Sequence, residues 1–289
     1  MNKGIVWMLH SVEEDSPRTA ASELYANLTL PPARLESLVV EARQRGYTFV
    51  SMRRFLSDLA DGSEHQNILL TFDDGFRNVY TDAFPLLRRL EAPFALFVAA
   101  DFIECGFRNC ARAEMDGMMI VLDQAVRCGA DFGKLFRRYR RLRRLLPFWD
   151  GRRIMDLMFG TGIDYDRYWH ECVCSVADLR EMADSGLCEI GSHTDRHVHV
   201  DRIGTRRLER ELVESKRRIE EWTVRPCEYF SYPYGHADAN SIELVRRHFR
   251  AATRDVTVPP YGVSETSDPH LLPRIICTRH ATIEGLLPA

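Results

Sequence analysis

Two adjacent carboxylates at the end of an apolar run are the first residues in this chain whose types could do chemistry. Asp73 and Asp74 stand in Thr71-Phe72-Asp73-Asp74-Gly75, directly after Ile68-Leu69-Leu70. Burying neighbouring carboxylates costs desolvation and mutual repulsion, which raise at least one pKa unless a cation or hydrogen bonds compensate. A metal ion held by one of them, with the other taking a proton from water, would make sense of the pair. Side chains alternate along a strand, so neighbours there point to opposite faces. At a strand end Gly75 lets the backbone turn sharply and brings both acids into one pocket. A strand followed by an Asx-type turn explains the same five residues without any chemistry.

A second cluster weighs against that plainer explanation. Gly191-Ser192-His193-Thr194-Asp195-Arg196-His197 also follows an apolar run, and its two histidines are four residues apart. On a helical turn they share a face and can bind one metal ion. Two histidines and one aspartate leave a coordination position open, as a catalytic site requires. His199 falls off that face and reads as a supporting or surface residue. The third segment, Phe230-Ser231-Tyr232-Pro233-Tyr234-Gly235, ends another run. Its Pro-aromatic-Gly turn presents backbone N–H groups and apolar walls, suited to an acyl methyl and a nascent oxyanion.

The elements that must position these residues alternate between strand and helix. Strands are expected at 5–9, 47–50, 67–72, 94–98, 187–191, 228–231, 251–253 and 275–277. Helices are expected from Pro31-Pro32 to Gly46, from Ser51 to Leu59, over 79–90 with a kink at Pro85, and over 176–185, 205–222 and 239–248. Such alternation argues for parallel strands joined by helical crossovers. A barrel of β/α units with about seven strands fits the count better than an open sheet, and in barrels functional groups collect at the C-terminal strand ends. From about 103 to 175 the alternation fails over a length too great for a structureless loop, which predicts a helical insertion within a single domain spanning 1–289.

Bulk composition narrows the class. A chain of 289 residues with 45% hydrophobic and 28% charged content is ordinary for a soluble globular protein, and a net charge of −3 gives no general signal for nucleic acid. No apolar run is long enough to cross a bilayer, and the five-residue stretch Ile5 to Leu9 is too short for a signal-peptide core. The eight cysteines are scattered without zinc-ribbon spacing, which fits a reducing cytoplasm.

With the three segments in this order, the sequence resembles the polysaccharide deacetylase family, the NodB-homology domain of carbohydrate esterases. The resemblance spans nearly the whole chain, through Leu272-Pro273-Arg274-Ile275. It implies a distorted (β/α) barrel that binds Zn²⁺ or a similar divalent ion. It also implies Asp73 as general base and Asp74, His193 and His197 as metal ligands. Two positions depart from the family pattern. Ser231 stands where an arginine usually orients the base, a variant common in members tied to bacterial surface-polysaccharide assembly, and Arg274 is the candidate replacement. Thr278 stands where a histidine acid is usual, with His280 displaced by two residues. His10, ending the first strand, is the preferred acid or partner to Asp73, with a structural histidine as the alternative. The backbone N–H of Tyr234 is the expected oxyanion donor.

The implied reaction is removal of N-acetyl groups from a sugar in a surface-polysaccharide or glycolipid pathway. An O-acetyl esterase is the second reading, and a non-catalytic glycan-binding protein on the same fold is a third. The basic stretch 134–149, with Leu135, Tyr139, Leu142 and Leu146 at helical spacing, reads either as an amphipathic helix packed on the barrel or as a contact with an anionic membrane surface. The second reading suits a cytoplasmic enzyme at the inner face of the membrane, acting on a lipid-linked acetylated carbohydrate. Without a recognised motif, nucleic acid is not expected as a partner.

Overall fold

The computed structural model describes residues 4–14, 27–62, 66–104, 170–256, 262–264 and 266–287, with isolated positions between 134 and 144. Among these, apolar runs rich in β-branched and aromatic residues form the strands. They are β1 (Gly4–Leu9), β2 (Ser11–Val12), β3 (Thr29–Leu30), β4 (Thr48–Phe49), β5 (Asn67–Phe72), β6 (Phe94–Val98), β7 (Cys188–Ser192), β8 (Tyr229–Ser231), β9 (Ala251–Asp255), β10 (Gly262–Val263) and β11 (Leu272–Ile276). The helices are α1 (Pro32–Gln44), α2 (Met52–Ala60), α3 (Phe84–Arg89), α4 (Ala100–Glu104), α5 (Val176–Asp184), α6 (Thr205–Thr223), α7 (Ala239–His248) and α8 (Ile283–Leu286).

Seven of these strands pair in parallel in the order β1, β11, β9, β8, β7, β6, β5, and the β1–β5 pairing closes the ring. This is the expected (β/α) barrel. The distortion lies at its edges: β4 takes the lower half of one β5 edge, and β10 runs antiparallel to the start of β1. The short β2, β3 and β10 were not expected from the sequence, because two-residue strands carry no periodicity. The last strand also begins earlier than expected, at Leu272, so Arg274 lies inside it.

The alternation of side chains sorts the barrel into two apolar clusters. Ile5, Trp7, Leu9, Ile68, Leu70, Phe72, Leu96 and Phe230 face outward under the helices. Val6, Leu69, Ala95, Phe97, Tyr229, Ala251 and Leu272 face inward, and there they meet Met52, Phe55 and Leu59 of α2. That helix therefore plugs the N-terminal end of the barrel. Ser51 caps it through a hydrogen bond from the Arg54 N–H, and the Glu189 carboxylate, reaching from β7, accepts from the Met52 and Arg53 N–H groups. A carboxylate is favoured there because a helix N-terminus presents unsatisfied N–H groups and a positive dipole end.

Local sequence explains the helix boundaries. Pro31-Pro32 opens α1, and capping boxes at Ser175/Asp178 and Asp238/Ser241 start α5 and α7. The expected kink at Pro85 is present in a particular form: Val79–Ala83 is a π-helical turn leading into α3. Proline has no N–H to close the ordinary helical bond to the preceding turn, and the wider turn absorbs that loss. The expected insertion at about 103–175 and the basic stretch 134–149 lie almost wholly outside the described residues. Among the described residues no helix is long and apolar enough to cross a membrane.

A seven-strand ring leaves little room inside, and Gly191 sits where its neighbours press closely. A Cβ there would sit 2.6 Å from the Phe97 ring and 2.9 Å from the Tyr229 carbonyl oxygen. Since one of those atoms is backbone, the clash cannot be relieved by a rotamer change. Gly191→Ala is expected to lower stability by about 1–3 kcal/mol, read as a drop in the urea midpoint.

Candidate active site

Strand parity carries polar side chains into the C-terminal mouth of the barrel. Thr71, Ser231, Thr253 and Arg274 are fully buried and share the inward parity of the apolar lining. One step beyond the strand ends on the same parity come Asp73, His193 and His10. The register fixes their neighbours. Leu9 pairs with Phe72, which sets His10 level with Asp73, and the Asp73 N–H donates to the Leu9 carbonyl at 3.1 Å. On the other side of β1, Met8 pairs with Ile276 and the Cys277 N–H donates to the Met8 carbonyl at 2.8 Å. Continued, this register sets His10 level with Thr278.

The paired aspartates separate because the backbone turns. Asp74 has φ 72° and Gly75 has φ 84°. The left-handed conformation is tolerated by aspartate and natural for glycine. It sends the two acids into different surroundings. Asp73 receives a bidentate pair from Arg274, Nη1 to Oδ1 at 2.8 Å and Nη2 to Oδ2 at 2.6 Å. Arg274 also donates to Asp255 through Nε at 3.2 Å and Nη2 at 2.6 Å, and to Thr71 Oγ1 at 3.3 Å. Burial alone would raise the Asp73 carboxyl, but the charge of Arg274 and the hydrogen bonds it donates hold it well below the usual carboxylate range. Arg274, the candidate replacement for the missing arginine, lies against Asp73 in the structure. Ser231 lies beside them, its hydroxyl 3.5 Å from Asp73 Oδ2.

Asp74 turns the other way, toward the histidines. Its Oδ1 lies 3.2 Å from His197 Nε2 and 3.7 Å from His193 Nε2. One ligand atom from each of the three residues can be chosen so that all lie within 4.8 Å of one another, and all three residues are buried. His193 Nδ1 donates to the Ser231 carbonyl at 2.8 Å, which leaves Nε2 as the lone-pair nitrogen. Burial depresses the His193 pKa despite the neighbouring carboxylates, so the ring is neutral, as a ligand must be. Asp74 Oδ1 is buried with no hydrogen-bond partner. An orphaned carboxylate oxygen facing two imidazole nitrogens is the donor set of a divalent ion such as Zn²⁺, and the residues present fit one.

The turn bearing the histidines is not the helical turn expected from their spacing. Thr194 has φ 64° and His197 φ 52°, so the segment reverses twice and brings the rings together at 4.7 Å between centroids. It is held from behind: Ala100 and Asp101 at the start of α4 donate to the Thr194 and Asp195 carbonyls at 3.3 and 2.7 Å. Arg218 of α6 bridges Asp101 and Asp195 at 3.1 and 3.3 Å. This support was missed, since Arg218 lies in an exposed-looking charged helix with nothing to mark it.

Tyr234 also has a left-handed backbone, φ 61°, followed by Gly235 at 69°. A Cβ at Gly235 would come within 2.9 Å of the Asp255 side chain, so the turn and the Arg274 partner pack together. Its phenol reaches His197, and His199 stacks on it. His10 is half-buried, with an unpartnered buried Nδ1. His280 is exposed on the segment after β11.

The ring and the mouth together define the NodB-like class of (β/α) barrels. Residues 139–250 match the family model described as polysaccharide deacetylase. The deacetylase PplD of Streptococcus pyogenes, in complex with acetate, superposes with a TM-score of 0.69 at 15% identity over 98% of each chain. A polysaccharide deacetylase from Bacillus cereus does so with 0.65 at 19% identity, over 98% of this chain and 67% of its own. A de-N-acetylase from Aggregatibacter actinomycetemcomitans gives 0.65 at 15% identity over 98% of this chain and 97% of its own. A comparison with curated proteins found no match. At these identities the structural likeness is one of fold, and the family match covers residues 139–250 alone.

Arg274→Met would leave Asp73 a buried charge without its counter-ion, at a cost of about 3–5 kcal/mol at neutral pH. The sign with pH follows from the lowered carboxyl. In the native protein its contribution is complete above about pH 4 and is lost only as pH falls through the depressed folded value. In the variant the burial penalty is largely unopposed and the acid protonates at higher pH. The stability gap, from denaturant titrations, should therefore be widest at pH 7 and shrink on acidification.

Proposed function

We propose that this protein is a metal-dependent hydrolase that removes N-acetyl groups from a sugar of a bacterial surface polysaccharide or glycolipid. The observation that carries the reading is the separation of the two adjacent aspartates. Asp74 faces two imidazoles, while Asp73 is held ionised beside them by a buried arginine. A divalent ion held by Asp74, His193 and His197 would polarise the acetyl carbonyl and acidify the attacking water.

Every other role falls to side chains and backbone of this chain. Asp73 takes the proton of the attacking water, its two oxygens fixed in orientation by the Arg274 fork. The Tyr234 N–H, on its left-handed turn, is the donor offered to the developing oxyanion. His10 delivers a proton to the leaving amine. It stands level with Asp73 on one side and on the other with Thr278, the position where the family pattern has its acid. An imidazole from the adjacent strand thus substitutes for one lost from the last. Amide cleavage depends on this proton more than ester cleavage does, because an alkoxide leaves more readily than an amide anion. The reading extends to a cytoplasmic enzyme that meets a lipid-linked glycan through 134–149. Flotation with anionic liposomes at low salt tests that extension, and a protein left at the bottom of the gradient refutes it.

Purified wild type and Asp73→Asn are both expected to hold a divalent ion after reconstitution, with acetate release from N-acetylated oligosaccharides reduced about 10²–10⁴-fold in the variant. An absence of bound divalent ion in both would overturn the reading. His10→Gln is expected to slow release from an N-acetyl substrate more than from an O-acetyl one, in a paired comparison of kcat/KM. Equal losses on the two substrates would remove His10 as the acid.

A further inference from the structure

The two histidines that face Asp74 are oriented by different means. His193 rests on a backbone carbonyl, while His197 Nδ1 lies 3.1 Å from the Tyr234 hydroxyl. For His197 Nε2 to present a lone pair toward Asp74, Nδ1 must carry the proton and the phenol oxygen must accept it. The phenol is itself held. The Tyr234 and His199 rings stack at 3.8 Å with 13° between their planes, and the Tyr234 ring meets His197 edge-on at 4.7 Å. Phe102 of α4 covers another side of His197, with centroids 5.8 Å apart.

Resting on the metal-site reading above, we infer that the Tyr234 hydroxyl and the His199 ring are positioning residues for His197. They fix its tautomer and ring plane and so set the affinity of the site for a divalent ion. The motif gave Tyr234 a role for its backbone N–H alone and read His199 as a supporting or surface residue. A tyrosine hydroxyl is an adjustable acceptor: it rotates and moves with its turn, whereas the carbonyl behind His193 belongs to a strand. The strained His197 backbone, φ 52°, adds to the need for an external support. Partners in this outer position change metal affinity by about 10–100-fold when removed.

The same hydroxyl links two parts of the mouth. Tyr234 belongs to the turn whose N–H faces the oxyanion position, so a shift of that turn shifts the acceptor of a metal ligand. Orientation of His197 and placement of that turn are therefore linked through one side chain.

The test is a zinc titration against a chromophoric chelator, using wild type, Tyr234→Phe, His199→Phe and His199→Ala, each checked by circular dichroism and thermal melting in the metal-free form. Tyr234→Phe keeps the stacked ring and removes only the acceptor; it should weaken zinc binding about 10–100-fold with an unchanged metal-free melt. His199→Phe should retain wild-type affinity, because it keeps a stacking face, while His199→Ala should weaken binding. Wild-type affinity in Tyr234→Phe would overturn the inference and leave the proposed function standing. Equal affinity in His199→Ala and wild type would overturn the part assigned to His199. A wild type that binds no zinc would overturn the proposed function and this inference with it.

Discussion

A guanidinium with no solvent around it, clamped between two carboxylates, is the constraint from which the active-site mouth follows. Arg274 is fully buried at the seam where β11 joins β1 to β9. Stripping water from arginine and aspartate is costly, and a buried ion pair returns little net stability. What it secures is orientation and charge. The fork matches both oxygens of Asp73, and Asp255 and Thr71 take the remaining donors. Because Arg274 of β11 needs partners from β5 and β9, these three strands hold a common register at the mouth.

The consequence for the adjacent acids is a division of labour set by environment rather than by residue type. Asp73 and Asp74 share a peptide bond, yet one faces a cation and the other two imidazoles. A single left-handed residue creates that difference, since an extended Asp74 would point to the outer face of the strand. Environments that separate like groups in this way are a recurrent means of assigning acid–base roles. The histidine turn uses the same device at Thr194 and His197, and the third segment uses it at Tyr234. Each of the three segments thus leaves its strand through a backbone reversal, and the reversals aim the side chains inward.

Much of this was legible in the sequence because the signals are local. Apolar runs of four to six residues, capping residues and Pro/Gly punctuation located every strand of the ring within a few residues. The three motifs at strand ends followed from their order. What resisted reading was long-range or conformational. The i, i+4 spacing of His193 and His197 suggested a helix, because spacing alone cannot distinguish a helical turn from a loop with two positive-φ residues. The Arg218 brace and the His199 stack depend on which elements become neighbours, and no pattern within α6 or the 197–199 segment encodes that. The level placement of His10, Asp73 and Thr278 required strand register, which pairing determines. The Glu189 cap on α2 was invisible for the same reason, as the two residues lie 137 positions apart.

The place of Arg274 in the chain has a consequence for how the molecule comes into being. Asp74, His193 and His197 are all synthesised by residue 197, while the residue that neutralises Asp73 comes with the final strand of the ring. Until β11 slides between β1 and β9, the ring is open and the Asp73 carboxylate relies on water rather than on Arg274. Closure of the barrel and pairing of Asp73 with its counter-ion are therefore one event, and it waits for the strand that carries Arg274.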